Sequence, residues 1–205
     1  MGSEMCIRDR GNAVVDEPIA SNIPELLEPG FKLLHLPDVD YNTCYPTFVM
    51  ALEEIKKWSD ANPNHFPIII MVEPKTEAVA DIIPIPDFVF AVPFSAGAVD
   101  SIDMEIRSVF GETLNKIITP DDLMEEGSTL NETILNNGWP TIGEARGKIL
   151  FVLSGLRDEY LTGHEGGKGR AMFRFAEPDQ PEAAFIKRDS PDDVAAIQEL
   201  SLIHI

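Results

Sequence analysis

The apolar positions of this chain come in short bursts, cut apart by proline, glycine and acidic residues. The first burst, Phe31-Lys32-Leu33-Leu34-His35, follows Gly30 and stops before Pro37, which predicts a strand. From Pro46 the period changes to that of a helix. Phe48, Val49, Leu52, Ile55 and Trp58 share one face, with Glu53 and Lys57 four residues apart on the other. Pro46 suits a first helical turn, where a missing N–H costs nothing, and Asn62-Pro63 ends the helix. Residues 67–73 are then apolar without alternation, as in a strand covered on both faces, and Pro74 closes the run. Strand, helix and strand in this order predict a βαβ crossover between neighbouring parallel strands.

The alternation continues. Val99, Ile102, Ile106, Val109 and Phe110 form the stripe of a second long helix. Residues 116–119 are a short strand candidate. Thr129 and Glu132 have capping-box spacing at the start of a short helix that Gly138 ends. Residues 148–153 read as another buried strand, 157–161 as helix, 171–175 and 184–187 as weaker strands, and 192–200 as a last helix. Such alternation predicts an α/β fold with a parallel sheet, either a barrel or an open doubly wound sheet. Residues 76–98, with Pro84, Pro86 and Pro93, read as a long loop beyond a strand C-terminus, where these folds keep functional loops.

The two ends stand apart from this pattern. Residues 1–10 include Met5-Cys6-Ile7-Arg8-Asp9-Arg10 and show no periodicity, and residues 201–205 stop in mid-element. Both look like translated adapter text and are set outside the expected fold, which leaves residues 11–200. Composition agrees with a globular domain: 205 residues, 44% apolar and 25% charged. The 35 Asp and Glu against 16 Lys and Arg give a net charge of −19, which argues against a partner bound through nucleic-acid phosphates. No apolar run approaches the roughly 20 residues of a membrane span. Two cysteines, Cys6 and Cys44, cannot build a disulfide framework.

Of four histidines, His204 lies in the C-terminal tail, His65 follows a turn, and His164 sits in the glycine-rich stretch 163–169. That stretch lacks the spacing of a nucleotide-binding loop. His35 differs. It ends a strand and is followed by Asp38 and Asp40, and the C-terminal strand ends of a parallel α/β fold carry its active site. A satisfied structural histidine is the competing reading. Glu73 likewise ends an apolar strand, and a carboxylate there calls for a partner such as a hard cation. Lys75, two residues on, offers a point charge to a phosphate. If the two strands are neighbours, His35 and Glu73 border one cleft, an arrangement suited to phosphodiester cleavage.

Several stretches together resemble one family. They are Gly30 to His35 with Asp38 and Asp40, Trp58-Ser59-Asp60-Ala61-Asn62-Pro63-Asn64-His65, Pro67-Ile68-Ile69-Ile70 and Glu73-Pro74-Lys75. Further along come Glu105-Ile106-Arg107-Ser108-Val109-Phe110, Ile118-Thr119-Pro120-Asp121-Asp122, Gly138-Trp139-Pro140-Thr141 and Gly143-Glu144-Ala145-Arg146-Gly147-Lys148. In this order they resemble the bacterial Ca²⁺-dependent phosphoinositide-specific phospholipase C-like family over nearly all of residues 29–200. The resemblance implies a TIM-type phosphodiesterase barrel. The inositol hydroxyl would be the internal nucleophile, Ca²⁺ would polarise a phosphoinositide-type phosphodiester, and the substrate would be a lipid or small molecule. It implies His35 as the second catalytic histidine and general acid, Glu73 as a Ca²⁺ ligand and Lys75 as a phosphate contact.

The departures concern the family's first strands, which carry another catalytic His, an Asn ligand and a Glu-x-Asp pair. Residues 1–28 hold no His, and no such strand is expected there. The family's closing strands are likewise not matched. The expectation is therefore an incomplete (β/α) barrel of parallel strands, missing the first and last, inactive alone and with an incomplete Ca²⁺ site. A glycerophosphodiester phosphodiesterase-like enzyme and a non-catalytic binding domain on the same scaffold are the alternatives.

Overall fold

The computed structural model describes residues 3–8, 23–34, 43–75, 94–188, 190, 192, 194–195 and 197–198. Its sheet has five strands: β1 (Ser3–Arg8), β2 (Lys32–Leu33), β3 (Ile68–Pro74), β4 (Ile149–Leu153) and β5 (Phe173–Arg174), in the order β2-β1-β3-β4-β5. Three pairs are parallel, β1 with β3, β3 with β4 and β4 with β5, and β1 with β2 is antiparallel. The helices are α1 (Phe48–Ala61), α2 (Ala96–Phe110), α3 (Pro120–Leu123), α4 (Leu130–Asn137), α5 (Ile142–Ala145) and α6 (Arg157–Leu161). The mixed α/β class with a mainly parallel sheet is as the alternation predicts.

Within the stretch 1–10, β1 pairs through its backbone with β3 from Ser3 opposite Ile70 to Ile7 opposite Pro74. One expectation changes: the expected crossover fails, because β1 stands between β2 and β3 and β2 runs antiparallel to it. The reason is local. Leu33 N–H bonds to Pro46 O at 3.0 Å and Phe48 N–H to Phe31 O at 2.9 Å. One edge of β2 is thus spent on the residues that lead into α1, and only its other edge faces the sheet.

The helix α1 is capped by Thr47, whose hydroxyl accepts the Met50 N–H, so Pro46 lies just before the cap. Phe48 and Leu52 are fully buried, whereas Trp58 at the far end of the stripe is half exposed. The expected Glu53–Lys57 pair is replaced by Lys57–Glu54 at 3.2 Å and Lys56–Asp60 at 2.7 Å. Helix α2 starts at Ala96, inside the stretch predicted as loop, because Ser95 accepts the Ala98 N–H as its cap. Residues 76–93 of that stretch lie outside the described residues. Thr129 and Glu132 form the expected capping box, and Thr119 with Asp122 and Thr141 with Glu144 form two more.

Strand β4 is buried on both faces. Ile149, Phe151 and Leu153 join Ile70, Val72 and the stripes of α1 and α2, while Leu150 and Val152 join Phe173 and the inner side of α4. Strand β3 departs from the reading of a doubly covered strand: Ile70 and Val72 are buried, but Ile69 is exposed on the other face. The remaining strand candidates shrink. Ile117 makes one bridge to Ile149, residues 173–174 alone form β5, and Phe185 makes one bridge to Phe175. Of the last predicted helix, residues 194, 195, 197 and 198 are helical, and 201–205 lie outside the described residues.

Candidate functional site

Glu73 is the penultimate residue of β3, at the C-terminal end of the parallel sheet, level with Cys6 of β1. Burial of Ile70 and Val72 on one face turns the alternate positions Ile69, Met71 and Glu73 to the other. The Glu73 carboxylate is ion-paired with the Lys75 ammonium through Oε2, both side chains being mostly buried. The structure therefore brings two of the three predicted site residues together. His35, with Asp38 and Asp40, lies outside the described residues.

A Ca²⁺ ion takes six to eight oxygens, and among the described residues no group of three or more His, Cys, Asp or Glu could hold a metal ion. Glu73, with its carboxylate already paired to an ammonium, does not make a Ca²⁺ site by itself.

The other histidines are held by the fold. His65 Nε2 lies 2.7 Å from the buried Ser59 Oγ, which also accepts the Lys116 ammonium at 3.1 Å. His164 Nδ1 meets Lys168 O at 2.8 Å. In the glycine-rich loop the Gly169 N–H points at the Asp121 carboxylate, 2.9 Å from Oδ2. A side chain of this protein thus occupies the place a bound anion would take.

Two polar clusters had no signature in the sequence. Asp103 on α2 is buried. Its Oδ1 lies 3.0 Å from the Tyr160 hydroxyl, and its Oδ2 accepts the Ala171 N–H at 3.2 Å. Arg170, 3% exposed, donates to Tyr160 O at 2.7 Å and Asp100 Oδ1 at 2.6 Å and lies over the Tyr160 ring. Burial pushes the Asp103 carboxyl above its ordinary range, against the pull of the Ala171 amide and Arg170. In the second cluster, Glu182 accepts from Arg157 and Arg174, each at 2.8 Å. Burial raises the Glu182 carboxyl, but the two guanidiniums outweigh it and hold the group low. These clusters bind α2, α6 and the segment after β5 together. Neither reveals itself as a periodicity, because the partners are far apart in sequence.

The family described as Phosphoinositide phospholipase C, Ca²⁺-dependent matches residues 7–202. The chain belongs to that family. Within this phospholipase C family, solved structures share its fold. The Ca²⁺-dependent phosphoinositol-specific phospholipase C of a Pseudomonas species, in its apo form, myoinositol complex, superposes with a TM-score of 0.57 at 20% identity, over 85% of this chain and 55% of that one. The Ca²⁺-dependent phosphatidylinositol-specific phospholipase C of Streptomyces antibioticus gives 0.53 at 18% identity, over 89% and 61%. This chain thus spans a little over half the length of the enzymes it matches. A comparison with curated proteins finds no match. Among the described residues, no helix of this family member is long and apolar enough to cross a membrane.

Proposed function

We propose that this chain carries one part of the active site of a Ca²⁺-dependent phosphodiesterase that cleaves phosphoinositide-type lipids. The observation that supports it best is the Glu73–Lys75 ion pair at the C-terminal end of β3, in a chain matched by the family over residues 7–202. The family match also favours a phosphoinositide over a glycerophosphodiester substrate. In the proposed reaction the inositol hydroxyl next to the phosphate attacks phosphorus. The P–O bond to diacylglycerol breaks as a cyclic phosphodiester forms, and His35 gives its proton to the leaving oxygen. Lys75 faces the phosphate charge, and Glu73, its ion-pair partner, would be one of the oxygen ligands of Ca²⁺ once the remaining ligands are present. The group that takes the proton from the attacking hydroxyl is not supplied by residues 1–28, which contain no His. The first barrel strands of the family would bring it, so the 205-residue chain is proposed to be an incomplete barrel with no turnover of its own.

The test has two arms. The chain alone, with phosphatidylinositol and millimolar Ca²⁺, should release no inositol phosphate above background. A polypeptide carrying these residues together with the remaining barrel strands should cleave phosphatidylinositol in preference to glycerophosphodiesters. His35→Ala should lower that rate by about 10²- to 10⁴-fold, the usual share of a general acid. An unchanged rate in His35→Ala overturns the assignment of His35, and a preference for glycerophosphodiesters overturns the substrate class.

A further inference from the structure

The sequence holds one Asn-Gly pair, Asn137-Gly138, and the structure sets it at the end of α4. Asn137 is the last residue of the helix, and Gly138 is its C-cap, with φ +76°. Both residues are exposed, and a Cβ added at Gly138 would meet nothing within 4 Å. No side chain therefore keeps the Gly138 backbone nitrogen from the Asn137 carboxamide. Every other asparagine of the chain is followed by a residue with a Cβ and, before Pro63, by one with no N–H.

Asn137 also holds two segments together. Its Nδ2–H donates to Glu125 Oε1 at 2.8 Å, which ties the end of α4 to the residues that follow α3. One turn earlier, Thr133 Oγ1 accepts the Glu125 N–H at 3.3 Å. Just beyond the pair, the Trp139 ring packs on Phe173 and Phe185, with centres 5.5 and 4.9 Å apart. The Asn-Gly pair thus joins a polar latch to an aromatic cluster. A single bond restrains it: the Gly138 N–H is given to Ile134 O at 2.9 Å. That bond closes the last turn of an eight-residue helix, and last turns are the first to fray.

We propose that Asn137 is a site of self-modification: when the last turn of α4 opens, the Gly138 amide deamidates it, and the product releases α4 from Glu125. The Gly138 nitrogen attacks Asn137 Cγ. The Cγ–Nδ2 bond breaks, and the Gly138 proton leaves with the amide nitrogen as ammonia. The cyclic imide that remains takes up water, which opens it at either carbonyl to aspartate or to isoaspartate. Either product turns the donor of the latch into a second carboxylate facing Glu125. It also sets a negative charge at the C-terminal end of a helix, where the helix dipole disfavours it. Isoaspartate further lengthens the backbone by one carbon just before Trp139, which shifts that ring against Phe173 and Phe185.

The test is to incubate the chain in warm, mildly alkaline buffer and map its peptides by mass spectrometry, with fragmentation separating Asn137 from Asn136. Asn137 should be the first asparagine to show the mass change from amide to acid, with isoaspartate among the products. Conversion should be faster in urea, and faster in Thr129→Ala, whose broken capping box lets α4 fray. The incubated chain and fresh Asn137→Asp should both melt about 2–4 °C below the fresh parent. Asn137→Ser, which has no carboxamide to lose, should melt at the same temperature before and after incubation. The proposal is overturned if another asparagine converts first, if Asn137 converts no faster in urea than in the native chain, or if Asn137→Asp melts with the parent. It is also overturned if Asn137→Ser loses as much stability on incubation as the parent does.

Discussion

Asp60 shows how single charges act in this chain. Hydrogen bonds from Lys116 and Lys56 hold its carboxyl at about 2, against an ordinary 3.8. Folding therefore favours its ionised form. The stability it adds is fully present above about pH 4 and is lost as pH falls toward 2. Denaturant midpoints measured from pH 5 to 2 should fall less steeply in Asp60→Asn than in the parent, by a small amount because the pair is exposed to solvent. A larger effect belongs to Tyr160. Replacing it by Phe takes a hydroxyl from between Asp103 and the Met172 backbone, leaving a buried carboxylate and a buried amide short of a partner. Loss of about 1–3 kcal/mol is expected in urea unfolding. Glu73→Gln should remove whatever Ca²⁺ heat the chain shows in calorimetry, which itself should indicate weak binding, since one carboxylate supplies too few oxygens.

At the scale of elements, the short helices depend on their first residues. Thr129→Ala breaks the capping box of α4 and should cost about 1 kcal/mol. Gly147, just before β4, has φ +72° and gives its N–H to His65 O at 2.9 Å. An added Cβ would collide with the Pro63 carbonyl. Gly147→Ala should cost about 1–2 kcal/mol for the left-handed backbone alone, with the collision on top, seen as a lowered melting temperature. Helices α1 and α2 were legible from their stripes because periodicity is local information. The orientation of β2 was not. It turns on hydrogen bonds from Leu33 and Phe48 to a neighbouring segment, and Phe31 to Leu34 reads the same in a parallel or an antiparallel strand. The doubly buried β4 could be read from its unbroken apolar run, whereas β3, equally apolar, leaves Ile69 in solvent. Composition reports what a strand could bury, and its neighbours decide what it does.

For the molecule as a whole, Glu73 and Lys75 could be named from the sequence because a charge at the end of an apolar strand is conspicuous. A contact such as that of the Arg146 guanidinium with the Phe66 ring could not, since it joins positions 80 apart in sequence. The outer edge of β2 is taken by residues 46–48, but β3 leaves the apolar Ile69 exposed on its open face. Light scattering should therefore find concentration-dependent association of this chain, and a monomer at all concentrations would speak against it. The Asp103–Tyr160–Arg170 cluster has a further consequence. It fastens α2 to α6 and to the backbone at residues 170–172, so none of the three can open without stranding a buried charge in another. In native-state hydrogen exchange the amides of Ile102, Ile106, Ala171 and Met172 should thus be released together, at one common denaturant sensitivity, as a single cooperative unit of the fold.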